Sequence, residues 1–186
     1  SSSQNVTHPL YDKWTLWAHL PHNTDWSIKS YIPISTMGTV EDALGVTETL
    51  PHILVENCML FMMRHNVKPH WEDPLNRNGG CFSYKVLNKN VTKAWSELTY
   101  RIVGGTISDK LTFANSVTGI TISPKKNFCI IKIWMSNSNN QDPSKIAPIF
   151  GLPSHNIIYI FFKCLQMKFS SIIICFITEL SFSKIF

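Results

Sequence analysis

The sequence predicts an α+β domain, and three observations carry that prediction. Several short segments alternate apolar and polar residues with period two, as half-buried strands do. One longer segment, 90–103, repeats with a helical period, its Ala94, Leu98 and Ile102 lying four apart. Between these segments lie turn-forming clusters of Pro, Gly and Asn, so helices are interspersed among antiparallel strands. A chain of 186 residues fits one domain with a sizeable core.

The elements follow in order. Residues 1–7 (SSSQNVT) are polar and read as a flexible terminus. KWTLWAHL (13–20) alternates and reads as a strand. Residues 21–38, with Pro21, Asn23, Pro33 and Gly38, read as turn-rich and carry Trp26 in a loop. TVED (39–42) offers a hydroxyl N-cap with an acid three positions on, so a short helix begins at Thr39 with Val40, Ala43 and Leu44 on one face. CMLFMM (58–63) is a strand, VKPHWEDPLNRNGG (67–80) a loop, and CFSYKVL (81–87) a strand again. The helix over 90–103 stops at Gly104-Gly105. Strands follow near 116–122 and 128–134, joined by a turn containing Pro124, Lys125 and Lys126. DPSKIAPIFGLP (142–153) allows at best a short helix limited by proline, and NIIYIFF (156–162) is a last strand.

Composition narrows the function. The formal charge of +5 suits a polyanionic partner such as RNA or an anionic membrane surface, although on charge alone an ordinary basic domain is the commoner case. Five scattered cysteines without a CxxC pair argue against a disulfide framework and fit a reducing compartment. Cys58, His65 and His70 lack the spacing of a structural zinc site, so no metal is expected. Neither Asn5 nor Asn90 is expected to carry a glycan, because no secretory signal opens the sequence. The apolar stretch 157–177 contains Lys163 and Lys168 and reads as a strand and a sticky tail, not a membrane span. There is no P-loop, G-x-S-x-G or H-E-x-x-H, and the seven histidines have no evident nucleophilic partner, so neither catalysis nor a cofactor is expected.

Trp71-Glu72-Asp73, in a loop bounded by proline and glycine, is the most informative segment. An indole on such a loop can cover the face of a planar ligand while the adjacent carboxylate accepts hydrogen bonds from its edge. Trp26 is isolated in a second polar loop, and Trp134 shares a strand face with Lys132. Each has a plainer reading: Trp71 as a packed anchor, Trp26 as a lid over the sheet edge, Trp134 as core.

A series of motifs in order resembles the translation initiation factor 4E family, from about His8 to Tyr159. It comprises HPLYDKWTLW (8–17), TVED (39–42), VKPHWEDPLNRNGG (67–80), AWSEL (94–98), IIKIW (130–134) and GLP (151–153). The resemblance implies a cap-binding domain over 8–159: a curved antiparallel sheet of about eight strands, about three helices on its convex back, and the messenger RNA cap in its concave face. It implies that Trp26 and Trp71 sandwich 7-methylguanine, that Glu72 receives the guanine N1 and N2 hydrogens, and that Trp134 lies against the N7-methyl group. The cap triphosphate would meet Lys125 and Lys126, near where the family has an Arg, and Lys132, since the expected strand lysine falls at Ile130. Cys81 stands where a basic residue often follows Gly-Gly.

On the back, the resemblance places a docking surface for a scaffold or inhibitor helix at His8, Pro9, Leu10, Val40, Leu44, Ser96 and Glu97. Leu44 replaces the family's dorsal tryptophan, and Ser96 replaces an apolar residue. Residues 160–186 leave the family pattern and form an Ile/Phe-rich tail. The expected protein is thus a monomeric, cytoplasmic, non-enzymatic cap binder in translation initiation. A repressor or specialised cap binder that does not engage the usual scaffold is the alternative, ahead of a general single-strand RNA module or a cap-processing enzyme.

Overall fold

The structure is a computed structural model, described here over residues 6–162. Seven strands form one curved antiparallel sheet: β1 (Pro9–His19), β2 (Tyr31–Thr39), β3 (Met59–Arg64), β4 (Gly80–Leu87), β5 (Val117–Pro124), β6 (Phe128–Met135) and β7 (Ile158–Phe161). Their order is β2-β1-β3-β5-β6-β4-β7. Four helices, α1 (Val40–Thr49), α2 (His52–Asn57), α3 (Asn88–Val103) and α4 (Leu111–Ser116), complete the α+β domain.

Strand alternation divides the apolar residues between two faces. Trp14, Leu16, Leu60, Met62, Ile120, Ile122, Ile131 and Ile133 point into the main core, where Val91, Ala94, Trp95, Leu98 and Ile102 of α3 cover them. Phe61, Met63, Val67, Cys81, Trp134 and Phe162 form a smaller cluster on the opposite, open face, with Trp17, Tyr31 and Trp71 packed against it.

The capping box at α1 is formed as the sequence predicts. Thr39 Oγ1 accepts from the Asp42 N–H at 3.1 Å, and the Asp42 carboxylate accepts from the Thr39 N–H at 3.0 Å. Within α1, Ala43 is buried while Val40 and Leu44 remain 41% exposed, so the three do not share one packed face.

The turn-rich reading of 21–38 is corrected, because its second half is β2. Pro33 is tolerated there because β2 is an edge strand and the β1–β2 register shifts between Leu16 and Trp17, opposite Pro33. The helices α2 and α4, six residues each, are too short for a periodic signal and were not expected. In 142–153, only Pro143–Lys145 is helical, as one 3-10 turn capped by the Asp142 carboxylate. The apolar tail from residue 163 onward and the terminus before Val6 lie outside the described residues. Among the described residues, no helix is long and apolar enough to cross a membrane.

Candidate functional site

The loop from Val67 to Gly79 is held by two buried polar side chains. The Asp73 carboxylate accepts from the backbone N–H of Lys68 and of Leu75, both at 2.9 Å. Asn76 is fully buried. Its amide donates to the carbonyls of His70 at 2.9 Å and Lys68 at 3.3 Å, and its oxygen accepts from Thr118 Oγ1 of β5 at 2.7 Å. Where the chain re-enters the sheet, a Cβ on Gly79 would lie 1.7 Å from the Met135 carbonyl oxygen, so the close approach demands glycine. The loop therefore presents Trp71 and Glu72 from a fixed frame. Trp71 is half-buried against the open-face cluster. The Glu72 side chain is 53% exposed, with Oε2 accepting from His70 Nδ1 at 3.1 Å.

Trp26 lies in the loop between β1 and β2. The Asp25 carboxylate shapes that loop by accepting from the Ser27 N–H at 2.8 Å and from its hydroxyl at 3.0 Å, and these bonds hold its pKa below the ordinary value. The indole is 49% exposed and lies parallel to the buried His19 ring, with centroids 4.2 Å apart and 2° between planes.

Trp134 is 7% exposed. Its indole N–H donates to Thr121 Oγ1 at 3.2 Å, and its ring lies 4.9 Å from Phe162. Trp71 and Trp134 thus meet in one cluster of the open face. Lys132 lies two residues back on the same strand face, between Ser83 and Thr121 in register. The Ser83 hydroxyl is buried without a hydrogen-bond partner. Burial pushes the neighbouring Cys81 thiol up to about 11, against the opposing pull of Lys132. Lys125 and Lys126 sit on the β5–β6 turn, where the Lys125 N–H donates to the Phe128 carbonyl at 2.8 Å. Lys132 lies six positions after Lys126, a span of up to about 20 Å in extended chain, so the candidate cations fall in two groups.

On the helix-covered side, His8 locks the start of β1 to α1. Its Nδ1 and Glu41 Oε1 are 2.6 Å apart, and its N–H donates to Glu41 Oε2 at 3.0 Å. These bonds from His8 hold the Glu41 carboxyl at about 2. Pro9 is exposed and Leu10 packs on the core, while the side chains of Val40 and Leu44 on α1 are open. On α3, Ser96 Oγ donates to the Thr92 carbonyl at 3.1 Å, and Glu97 accepts from the Phe150 N–H at 3.1 Å.

Two surface hollows, of 310 and 410 Å³, flank His65 and Asn66, and neither is lined by Trp26, Trp71 or Glu72. Among the described residues, no group of three His, Cys, Asp or Glu could hold a metal ion.

Sequence reasoning missed four contributors: His19, His70, Asn76 and Thr121. The alternation of KWTLWAHL puts His19 on the face of Thr15 and Trp17, which could have flagged it. His70 lies two residues before Glu72, close enough for a local pair. The Asn76–Thr118 bond joins residues 42 apart and leaves no local trace.

The family model for eukaryotic initiation factor 4E matches residues 9–164. Eukaryotic translation initiation factor 4E-2 of Schizosaccharomyces pombe is 31% identical over 144 residues, covering 73% of this chain and 57% of that protein. The initiation factor 4E of Saccharomyces cerevisiae is 27% identical over 157 residues, covering 81% of this chain and 72% of its own length. The chain thus spans little more than half of the first of these relatives. Among solved structures, C. elegans eIF4E-3 in complex with the 4E-binding protein Mextli and a cap analog superimposes with a TM-score of 0.74 at 20% identity, over 89% of this chain and 99% of that one. Schistosome eIF4E complexed with m7GpppG and 4E-BP gives 0.66 at 24% identity, over 74% and 76% of the two chains. These two share the fold, and the family match rests on sequence. With more than half of its length matched by the family model, the chain belongs to the eukaryotic initiation factor 4E family.

Proposed function

We propose that residues 8–159 form a cap-binding domain that takes the 7-methylguanosine of messenger RNA on the open face and acts, without catalysis, in translation initiation. The observation that carries the reading is the pairing of Trp71 and Glu72 on a loop pinned by Asp73 and Asn76, with Trp26 half-exposed on the β1–β2 loop. The base is stacked between Trp26 and Trp71. N7 methylation leaves guanine with a delocalised positive charge that the indole faces attract, and each stack is worth about 1–3 kcal/mol. Glu72 receives the N1 and N2 hydrogens at about 1.5–3 kcal/mol each, which selects guanine over adenine. His70 occupies one site on Oε2 and leaves the carboxylate's remaining lone pairs for the base. Trp134 meets the methyl group at its rim. Lys132 and, from the β5–β6 turn, Lys125 and Lys126 attract the triphosphate as point charges, without the bidentate fork of an arginine.

The family relatives, together with solved neighbours in complex with m7GpppG or with a cap analog, support this reading. The factor works as a monomer in the cytoplasm, with capped messenger RNA as its ligand and a scaffold or inhibitor helix at His8, Pro9, Leu10, Val40, Leu44, Ser96 and Glu97. Leu44 favours a second role, a repressor or specialised binder that bypasses the usual scaffold, since an aliphatic side chain offers less anchoring area than an indole.

Tryptophan-fluorescence titration with 7-methyl-GTP and GTP, repeated on Glu72→Ala, tests the site. Strong quenching by the methylated nucleotide, weak quenching by GTP and loss of binding in the variant are expected. Equal responses to both nucleotides would remove the cap-binding assignment.

A further inference from the structure

Trp26 rests on a support that the proposed ligand does not touch. Every residue from Leu20 to Lys29 is exposed, whereas His19, at the end of β1, is 2% exposed. The imidazole lies flat under the indole at 4.2 Å and 2°. Its Nε2 donates to the Asp25 carbonyl oxygen at 2.8 Å, one residue before the indole it supports. Below, His19 meets Tyr31 edge-on at 5.3 Å, and Tyr31 meets Phe61 of β3 edge-on at 5.2 Å. A ladder of rings thus runs from a central strand up to a loop indole.

Trp26 remains 49% exposed, so the stack uses one indole face and leaves the other open. An indole on an unsupported loop would have to be ordered when a base arrives. Ordering one such side chain weakens binding by about twofold to tenfold. A parallel ring beneath it removes that loss before binding.

We propose that His19 is a positioning residue for Trp26, fixing the indole plane so that a 7-methylguanine base adds as the third layer of a His19–Trp26–base stack. This rests on the cap-binding reading above. His19 acts through the indole, and its ring is the active feature. The hydrogen bond to Asp25 is secondary, because Asp25 is exposed and water can satisfy its carbonyl.

The test uses the full chain with 7-methyl-GTP and GTP in calorimetric titration, for the parent, His19→Phe and His19→Gln, each checked for folding by thermal melting. His19→Phe keeps a ring and loses the hydrogen bond; His19→Gln keeps a donor and loses the ring. His19→Gln is expected to weaken 7-methyl-GTP binding by about threefold to tenfold, with His19→Phe within about twofold of the parent. In the parent, the nuclear Overhauser contact between the His19 imidazole and the Trp26 indole is expected to persist at saturating 7-methyl-GTP. That readout needs no variant to fold. Loss of the contact on binding, or unchanged or tighter binding by His19→Gln, would show that His19 competes with the base and overturn the proposal. Weakening by His19→Phe as great as that by His19→Gln would show that a ring alone does not support the indole and overturn it too. A parent that binds GTP and 7-methyl-GTP alike removes the cap-binding reading itself, a failure visible before any variant is made.

Discussion

Replacing Asn76 with alanine removes three hydrogen bonds from the loop that carries Trp71 and Glu72. Their contributions are unequal. The bond to the Lys68 carbonyl is long, at 3.3 Å, and that carbonyl also accepts from the His70 N–H at 2.8 Å, so little is lost there. The bonds to the His70 carbonyl and from Thr118 Oγ1, at 2.9 and 2.7 Å, are each worth about 0.5–1.5 kcal/mol. Thr118 is 3% exposed, so its orphaned hydroxyl adds a desolvation penalty toward the upper end of that range. Together Asn76→Ala is expected to destabilise the fold by about 2–4 kcal/mol, a drop in melting temperature of about 5–12 °C for a domain of this size. Thr118→Val, which leaves the Asn76 oxygen unpaired, is expected to lose about 1–2 kcal/mol. Urea melts of both singles and the double variant measure the coupling directly, since two residues in one hydrogen bond are non-additive. 7-Methyl-GTP affinity is expected to fall in Asn76→Ala, because Trp71 and Glu72 lose their frame. A melting point within 1 °C of the parent, or additive single and double variants, would refute the claim that Asn76 pins this loop to β5.

Three further expectations follow from the same geometry. Gly79→Ala drives a Cβ into the Met135 backbone and is expected to destabilise by well over the roughly 1–3 kcal/mol of ordinary overpacking, whereas Gly45→Ala, with open space around it inside α1, is expected to stabilise by about 0.5–1 kcal/mol in the same thermal melt. Thr121→Val leaves the buried indole N–H of Trp134 without its acceptor and is expected to lower stability by about 1–2 kcal/mol in urea. Glu41 has a folded pKa depressed to about 2 from 4.5 by His8, so its contribution to stability is present in full above pH 4.5 and lost as pH falls through 2. The carboxyl carbon of Glu41, followed by NMR, is expected to titrate near 2 in the parent and to rise only part of the way toward 4.5 in His8→Ala, which removes the imidazole but keeps the backbone N–H.

Local signals were read well and distant ones poorly. Thr39 and Asp42 form the expected capping box because every partner lies within four residues. The four-residue repeat in α3 marks its buried face, and the alternation in β6 separates Ile131 and Ile133 from Trp134, but β1 is buried on both faces over 14–19 and not on one as its alternation suggests. β2 was hidden because Pro33 and Gly38 are turn residues by composition, and only an edge position with a register shift accommodates them. The candidate site divides in the same way. Trp71 and Glu72 are adjacent in sequence, but the stack of His19 on Trp26, the Asn76–Thr118 bond and the Phe162 contact on Trp134 depend on tertiary placement.

On the proposed reading, this division has a chemical cause. A flat aromatic cation selected by its edge needs particular side chains at particular angles: two indoles for the faces and a carboxylate for N1 and N2. Moving any of these by one residue turns it to the wrong side of its loop or strand, so the base side keeps a legible motif. A triphosphate asks only for positive charge within reach, and a lysine delivers that from any of several nearby backbone positions. Lys132 on the strand and Lys125 and Lys126 on the turn are such alternatives, spread over two places instead of concentrated in one fork. The consequence is measurable. Triphosphate binding built from dispersed point charges responds steeply to salt, while stacking and the Glu72 bonds do not. Raising ionic strength is therefore expected to reduce 7-methyl-GTP affinity toward that of 7-methylguanosine, and to leave 7-methylguanosine affinity nearly unchanged. Equal salt dependence of the two ligands would place the lysines outside the binding site.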